Sequence, residues 1–293
     1  MTEPGAELRQ LMSEGPVVAP GAYDPMTARL VEQADFPAVY VTGGGVTNAV
    51  YGQPDVGVVS YSEMLEAYRR IIDKVSVPTV VDGDTGYGGP ANIRRAVRDL
   101  ETAGAAGVHF EDQVFPKRCA YLDGVSSVSV DEMRARLSVA VDSRRGSDLL
   151  IIGRTEARAA LDLDEVVSRA TAYQEVGADM IFVNGLSTMD DVRHVGSVLD
   201  GPLLYNNAGN PASPHLTPAD ARALGFDLLI FPSQTLRAAI VAVRCLLEGL
   251  VADGDIDDPS GERVLPFSEW VRLTGVEEIY ELEAAYAPTP STT

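Results

Sequence analysis

Residues 80–89 read Val-Val-Asp-Gly-Asp-Thr-Gly-Tyr-Gly-Gly. An apolar run that begins at Val77 leads into two aspartates, Asp82 and Asp84, and the glycines that follow favour a turn. This order is typical of a buried parallel strand that ends at the face of a sheet where active sites form. The two carboxylates, expected to point the same way, either bind a cation, Mg²⁺ or Mn²⁺, or cap a helix that starts near Pro90.

A second strand end favours the metal interpretation. Residues 107–113 read Gly-Val-His-Phe-Glu-Asp-Gln, so His109 and Glu111 share a face of the strand. Neighbouring parallel strands lie about 5 Å apart, which allows Glu111 to join Asp82 and Asp84 around one octahedral ion. His109 lies deeper and is either a hydrogen-bonded histidine of the core or a residue that contacts the substrate.

Strand-like and helical patterns alternate along most of the chain. Strands are predicted at about 16–20, 37–42, 77–82, 106–111, 149–154, 179–184, 202–206 and 227–231. Helices are predicted at about 25–34, 61–74, 90–104, 130–144, 164–176, 188–199, 217–224 and 233–250. This alternation predicts an α/β fold with a closed parallel (β/α)₈ barrel of the TIM type. The long connections at 43–60 and 112–129 follow strands two and four, where barrel enzymes keep their chemistry.

The length of 293 residues suits one barrel, which needs about 250, followed by an extension. We expect the barrel to occupy residues 1–251 and the extension residues 252–293. The acidic segment 252–262 resembles a linker, and two short helices are predicted at 266–273 and 276–285. The last residues, from 287 onward, contain two prolines and are expected to fray.

Composition excludes several classes of partner. The net charge of −20 argues against nucleic acid and against an anionic membrane surface, so an anionic substrate must be attracted by local cations. We find no apolar run of about 18 residues and no secretion signal. The two cysteines, Cys119 and Cys245, are far apart, which fits a reducing compartment and predicts a cytoplasmic protein.

The remaining strand ends carry groups suited to an anion. Arg154 ends strand five and can bind a carboxylate or phosphate, or can pair with one of the acids. Strand two ends at Thr42, and the glycines at 43–45 offer backbone amides to an oxyanion. Strands six and seven end at Asn184 and Asn206, which are neutral hydrogen-bonding residues.

The loop after strand four contains Lys117, Arg118 and Cys119 in succession. A cysteine beside two cations is more acidic than an ordinary thiol and can exchange a proton near neutral pH. The alternative is a surface loop in which the cysteine has no role.

Several motifs together resemble the isocitrate lyase and phosphoenolpyruvate mutase superfamily. The resemblance covers residues 15–250 and is strongest for the branch with 2-methylisocitrate lyase, dimethylmalate lyase and carboxyphosphonoenolpyruvate mutase. In chain order, the motifs are Gly21-Ala22-Tyr23-Asp24, Thr42-Gly43-Gly44, Pro54-Asp55-Val56-Gly57, Asp82-Gly83-Asp84-Thr85-Gly86-Tyr87-Gly88, His109-Phe110-Glu111-Asp112-Gln113, Lys117-Arg118-Cys119 and Arg154-Thr155.

The resemblance implies a set of roles. It places Mg²⁺ at Asp82, Asp84 and Glu111, with Asp55 nearby, and it places the substrate's α-oxo acid half against Thr42, Gly43, Gly44 and Arg154. It also implies that the C-terminal helices are exchanged with a neighbouring subunit in a homo-oligomer, a homotetramer built as a dimer of dimers.

The chain departs from the lyases at three sites. Strand seven keeps Asn206, but the acidic residue that often follows it is replaced by Ala208-Gly209-Asn210. The lyase loop reads Lys-Lys/Arg-Cys-Gly-His, whereas Ala120 and Tyr121 follow the cysteine here. Strand six of the lyases ends in a glutamate, and this chain has Asn184. Because an amide can donate to a substrate oxygen, we expect Asn184 to change the substrate and 2-methylisocitrate to be cleaved poorly.

These observations predict a Mg²⁺-dependent carbon–carbon lyase for a 2-hydroxy di- or tricarboxylate, acting through a metal-bound enolate and releasing an α-oxo acid. In this scheme Cys119, Arg154, Lys117 and Arg118 are catalytic, and Cys119 exchanges the proton at the enolate carbon. The substrate contacts are Thr42, Gly43, Gly44, Asp55, His109, Asn184 and Asn206. The alternatives are a carboxyphosphonoenolpyruvate- or phosphonopyruvate-type phosphomutase, an oxaloacetate hydrolase or decarboxylase, and a barrel that only binds anions.

Overall fold

The structure is a computed structural model that describes residues 3–118, 124–146, 148–211, 213–254 and 264–287. Eight parallel strands close into a barrel in chain order, and β1 pairs with both β2 and β8. The strands are β1 Val17–Ala22, β2 Val39–Val41, β3 Thr79–Asp82, β4 Gly107–Glu111, β5 Leu150–Thr155, β6 Met180–Val183, β7 Leu203–Asn206 and β8 Leu228–Phe231. The predicted (β/α)₈ barrel is thereby confirmed, and every strand end lies within two residues of its predicted position.

Helices alternate with the strands along the chain. They are α1 Pro4–Glu14, α2 Pro25–Gln33, α3 Gly43–Ala49, α4 Tyr61–Ile72, α5 Pro90–Ala103, α6 Val130–Ser143, α7 Leu163–Glu175, α8 Met189–Val198, α9 Pro218–Leu224, α10 Gln234–Asp253, α11 Phe267–Leu273 and α12 Val276–Tyr286. A 3₁₀ turn, Ala157–Ala159, follows β5. No helix in the described part of the chain is both long enough and apolar enough to cross a bilayer.

Two helices were not predicted. The first, α3, begins in the glycine run that sequence reasoning treated as a loop, since glycine has low helix propensity. Thr42 caps this helix by accepting a hydrogen bond from the amide of Gly45, so tertiary context and a cap outweigh the propensity.

The second unpredicted helix, α1, packs into the apolar cluster inside the barrel. Leu8 and Met12 of α1 are buried in that cluster together with inward-facing strand residues such as Tyr40, Ile152 and Phe182. Arg9 also donates to the Asp148 carbonyl at 2.8 Å, which ties α1 to the segment before β5. The spacing of Leu8 and Met12, one helical turn apart, was the available signal for this helix.

The chain divides by packing into two compact units, residues 1–236 and residues 237–293. The sequence placed the boundary later, after residue 251. All of the strands and all of the predicted site residues belong to the first unit. The site can therefore be described from the barrel alone.

Removal of the Leu8 side chain should destabilise the barrel. Leu8 is fully buried, so Leu8→Ala should lower the free energy of unfolding by about 2–5 kcal/mol through lost burial and a residual cavity. Gln10→Ala, on the exposed side of the same helix, is the matched control and should have little effect. Urea denaturation measures both variants, and equal stabilities for the two would contradict the assignment of α1 to the core.

Candidate active site

The predicted site residues gather at the carboxyl ends of the strands. Asp82 of β3 lies opposite His109 of β4, and Glu111 of β4 lies opposite Arg154 of β5. Acids and bases therefore alternate across neighbouring strands at the barrel mouth. Parallel strands in register account for this proximity between residues distant in sequence.

Asp82 and Asp84 are placed by different means. Strand β3 ends at Asp82, and Asp84 lies beyond it in a turn with a φ of 52°. Strand alternation, which the sequence argument used for both residues, therefore does not position Asp84. The turn is held instead by the Asp84 amide, which donates to Asp82 Oδ1 at 3.0 Å.

The two carboxyl groups differ in acidity. Burial raises the pKa of Asp84 to about 6, and the neighbouring Asp82 and Asp55 add to the rise against the opposing effect of Lys117. Burial also acts to raise the pKa of Asp82, but His109, Lys117 and Arg154 outweigh it and hold that pKa below its usual range. Asp82 is therefore the more firmly ionised of the pair.

Lys117 is the cation nearest to the aspartates. Its ammonium lies 2.7 Å from Asp55 Oδ1 and also pairs with Asp84 Oδ1, and its side chain is almost fully buried. Burial by itself would lower the pKa of Lys117, but Asp84 and Asp55 raise it well above its usual value. The ammonium thus joins two acids from separate loops.

Arg154 forms the second cationic centre, and its principal partner was missed by sequence reasoning. The guanidinium pairs with Glu156 through Nε at 2.6 Å and through Nη2. Its Nη2 also lies 3.3 Å from Glu111 Oε2, and its Nη1 lies 4.0 Å from Asp82 Oδ2. The alternative in which Arg154 pairs with acids is therefore observed, with Glu156 as the main partner.

Glu111 and Glu156 are buried carboxyl groups on either side of this arginine. Burial raises the pKa of Glu111 well above its usual value, and burial also raises that of Glu156, while Arg154 acts to lower both. Glu111 Oε1 is buried without a hydrogen-bond partner among the described residues. An unpaired acceptor at this depth leaves room for a further cation or donor.

Asp112 anchors the end of β5. It is fully buried and accepts hydrogen bonds from Thr155 Oγ1 at 2.7 Å, from the Glu156 amide at 2.8 Å and from Tyr173 OH at 2.8 Å. Sequence reasoning did not assign a role to Asp112 or to Glu156. The available signal for a polar network here was the run of three polar residues that follows the apolar part of β5, namely Arg154, Thr155 and Glu156.

The two asparagines at strands six and seven form a chain that starts at Glu156. Asn184 Nδ2 donates to Glu156 Oε1 at 2.9 Å and to Oε2 at 3.1 Å, and Asn206 Nδ2 donates to Asn184 Oδ1 at 3.2 Å. Sequence reasoning expected the Asn184 amide to donate to a substrate oxygen; in the structure it donates to Glu156, and its contact with a substrate stays a prediction. Glu156 therefore places a carboxyl group beside the neutral residue that follows β6.

His109 occupies the depth that the sequence indicated. It is fully buried, and its Nε2 lies 2.9 Å from Tyr40 OH, while its ring packs edge-on against Phe182. Burial lowers the pKa of His109 to about 3, so the ring is neutral near pH 7. These contacts match the core alternative for His109 and place Tyr40 beside Asp82, since its hydroxyl lies 3.4 Å from Asp82 Oδ2.

The glycines after β2 allow a close approach to the acids. A Cβ on Gly43 would lie 2.8 Å from Asp82 Oδ2, and a Cβ on Gly44 would lie 2.9 Å from Asp55 Oδ2. Any larger residue would displace these carboxylates. The glycines therefore let the first turn of α3 border the acidic cluster.

The loop after β4 is described only in part. The Arg118 amide donates to Gln113 Oε1 at 2.9 Å, which fixes the start of this loop, and the Arg118 side chain is exposed. Cys119 lies outside the described residues, as do Ala120 and Tyr121. Their predicted contributions stay predictions.

The chemistry of the acidic cluster fits a hard divalent cation, although the cluster is not assembled as a metal site here. Within the described residues, no three His, Cys, Asp or Glu side chains are arranged to hold one ion, because Lys117 and Arg154 lie against the predicted ligands Asp82, Asp84 and Glu111. Mg²⁺ prefers oxygen donors and keeps several waters, so it needs only one or two direct carboxylate ligands. The orphaned Glu111 oxygen and the close pairing of acids suit such an ion.

Comparison with known proteins shows the family. The model of the family described as phosphoenolpyruvate phosphomutase matches residues 8–251. The chain is 38% identical over 285 residues to 2,3-dimethylmalate lyase of Eubacterium barkeri, covering 96% of this chain and 98% of that protein. It is 38% identical over 259 residues to 2-methylisocitrate lyase of Aeropyrum pernix, covering 88% and 83%. A solved oxaloacetate acetylhydrolase in complex with the inhibitor 3,3-difluorooxalacetate has a TM-score of 0.92 and 32% identity, with 98% of each chain covered.

The chain therefore belongs to the phosphoenolpyruvate mutase and isocitrate lyase superfamily. These relatives include lyases, mutases and hydrolases that act on carboxylates. The relatives at 38% identity are named as carbon–carbon lyases, which confirms the predicted enzyme class, a carbon–carbon lyase similar to 2-methylisocitrate lyase.

Proposed function

We propose that this enzyme is a Mg²⁺-dependent lyase that cleaves the bond between C2 and C3 of a 2-hydroxy di- or tricarboxylate and releases a 2-oxo acid. The observation that supports it best is the barrel mouth itself, where Arg154 and Lys117 lie among buried carboxylates. In the proposed complex these cations contact the anionic substrate, and their burial strengthens the attraction. Those two conditions favour heterolytic cleavage beside a carboxylate.

The reaction divides into two proton transfers around one cleavage. The 2-hydroxyl loses its proton as its C–O bond becomes a carbonyl, and the C2–C3 bond breaks. The electron pair remains on C3 as the enolate of the second carboxylate fragment, and a proton then adds to that carbon. The reaction therefore requires a proton acceptor at the 2-hydroxyl and a proton donor at C3.

The residues of this chain fit these tasks as follows. Arg154 orients a substrate carboxylate through Nη1, the guanidinium nitrogen that faces Asp82 rather than Glu156. Thr42 and the amides of Gly43 and Gly44 are proposed to contact the α-oxo acid half of the substrate, which is the role that the resemblance implies. Cys119 is proposed as the proton donor to C3, with Arg118 beside it in sequence.

Mg²⁺, with Mn²⁺ as an alternative, would be held by Asp82, Asp84 and Glu111, with Asp55 nearby. Its chemistry there is to neutralise the oxygen of the 2-hydroxyl as charge develops on it. Binding would require Lys117 to move away from Asp84, since the ammonium now pairs with that carboxylate. Asp82, Glu111 and Arg154 would keep their places at the strand ends.

Release of a 2-oxo acid from a panel of 2-hydroxy dicarboxylates tests this proposal, with lactate dehydrogenase coupling as the readout for pyruvate. Asp84→Asn should abolish turnover while leaving the fold intact, because it removes one charged ligand and one acidic partner without changing size. The wild-type reaction should also stop in excess chelator and return with Mg²⁺. Turnover by the variant, or by the wild type in chelator, would refute the metal assignment.

A hydrolase is the second candidate, favoured by the close structural match to oxaloacetate acetylhydrolase. Addition of oxaloacetate to the panel separates the two, because a hydrolase would convert it to oxalate and acetate. Binding of oxalate without turnover of any acid would indicate instead a barrel that only binds anions. The lyase, the hydrolase and the anion-binding barrel would all bind small anions.

We propose a cytoplasmic location from the two widely separated cysteines, which fit a reducing compartment.

We also propose a homo-oligomer, a dimer of dimers in which residues beyond 252 pack on a neighbour. The support is the apolar surface of α11 and α12, where Phe267 is 74% exposed, Trp270 50% and Tyr280 63%. Light scattering at micromolar concentration should give a mass of about four chains. Trp270→Asp should lower that mass, and a monomeric wild type would refute the proposal.

A further inference from the structure

The buried side chain of Gln113 pairs with the backbone of Arg118 in the loop after β4. Its Nε2 donates to the Arg118 carbonyl at 2.9 Å, and its Oε1 accepts from the Arg118 amide at 2.9 Å. One side chain therefore satisfies both polar backbone groups of a single residue, five positions further along the chain.

A primary amide is suited to this pairing because one of its ends donates and the other accepts. A carboxylate in the same place could accept from the Arg118 amide but could not donate to its carbonyl. Because the glutamine side chain is buried, water does not readily replace a lost partner. The two hydrogen bonds therefore hold the backbone at Arg118 in one conformation.

Gln113 itself belongs to a well-anchored part of the chain. It forms an antiparallel bridge with Ser127, and beside that bridge the Val128 amide donates to the Asp112 carbonyl at 2.8 Å. Asp112 is the buried acid that anchors the end of β5. The glutamine thus ties Arg118 to the frame of the barrel.

The residue before Arg118 is the cation of the acidic cluster. The Lys117 ammonium lies 2.7 Å from Asp55 Oδ1 and also pairs with Asp84 Oδ1. A lysine side chain is long and flexible, so its ammonium keeps one position only if the backbone that carries it is fixed. Gln113 accepts from the amide of the peptide bond that directly follows the Lys117 Cα.

We propose that Gln113 is a positioning residue that, through the backbone of Arg118, holds the Lys117 ammonium between Asp55 and Asp84. The inference rests on the proposed function in one respect, because the ammonium then neutralises carboxylates that the proposed divalent ion would also neutralise. Loss of the two hydrogen bonds should release Lys117 and allow the ion to reach Asp84 more readily. Gln113 thereby sets the balance between the lysine and the metal.

The first test needs no metal, because the chain contains only two lysines, Lys74 and Lys117. Metal-free protein is treated with acetic anhydride, and mass spectrometry of its peptides gives the rate of modification at each lysine. In the wild type we expect Lys117 to react much more slowly than the half-exposed Lys74, because Lys117 is buried and paired.

Gln113→Met keeps the length of the side chain and removes both hydrogen bonds. It should raise the rate at Lys117 about fivefold or more, the size of one net hydrogen bond, and leave the rate at Lys74 unchanged. Gln113→Asn, whose amide is one methylene group too short to reach Arg118, should act in the same direction and replaces the first variant if that does not fold.

Two controls separate a local release of Lys117 from other effects. Gln174 on α7 donates to the Asp200 carbonyl, so Gln174→Met removes the same kind of bond elsewhere and should leave Lys117 at the wild-type rate. Hydrogen exchange of the β1 amides reports general opening of the barrel and should be unchanged in Gln113→Met.

The second test is a double-mutant cycle on the affinity for Mn²⁺, measured by electron paramagnetic resonance. Gln113→Met should tighten Mn²⁺ binding about threefold or more in the wild type, again the size of one net hydrogen bond. It should have no effect in the Lys117→Met background, because the glutamine acts through the lysine. A purely structural effect of Gln113 on the acids would change the affinity equally in both backgrounds.

A wild-type rate at Lys117 in the Gln113 variants overturns the proposal. So does a rise that the β1 amides share, or a change in Mn²⁺ affinity of the same size in both backgrounds. If the rate at Lys117 rises as expected but the wild type binds no Mn²⁺ or cleaves no acid, the positioning role of Gln113 stands and the proposed function fails.

Discussion

The barrel mouth depends on how buried carboxylates are neutralised. Four buried acids converge there with the partly exposed Asp55, namely Asp82, Asp84, Glu111 and Glu156. The described cations among them are Lys117 and Arg154. Burying an unpaired charge is expensive, so acids in excess of cations either take up protons or require a further cation. Burial raises the pKa of Asp84 to about 6 and that of Glu111 well above its usual value, so both take up a proton more readily than a free carboxyl group does. The proposed divalent ion would be the further cation.

The two cations divide the mouth into regions with different tasks. Lys117 comes from the loop after β4 and joins Asp55 to Asp84, so it controls the side where the metal is proposed. Arg154 is part of β5 and is fixed by Glu156, which is itself fixed by Asp112. The substrate side is therefore built on strands, and the metal side is partly built on loops. This division suits a reaction in which the residues around the metal rearrange while the residues that orient the substrate stay fixed.

The fold was largely predictable from sequence, and the polar network was not. Apolar runs that end in acids, arginine and asparagine located β3 to β7, since each strand must end at the same face of a parallel barrel. Helix α3 was missed because glycines at 43–45 argue locally against a helix, and only the Thr42 cap and its surroundings favour it. Asp112 and Glu156 were missed because their roles depend on pairings between β4, β5 and α7 that no local pattern contains. The resemblance predicts an acid at the end of strand six, where this chain has Asn184; sequence reasoning did not foresee that Glu156, which follows β5, lies beside it.

The central claim is that Lys117 and a divalent cation compete to neutralise the same aspartates. Electron paramagnetic resonance of Mn²⁺ measures this directly, by comparing the affinity of the wild type with that of Lys117→Met. Lys74→Met, at the exposed lysine paired with Asp73, is the matched control. We expect one Mn²⁺ site per chain. Lys117→Met should bind the ion about tenfold or more tightly than the wild type does, because the ammonium it removes is a nearby buried charge, worth several kcal/mol before screening. The Mn²⁺ affinity of Lys74→Met should equal that of the wild type. Equal or weaker binding in Lys117→Met, or no site in the wild type, would contradict it.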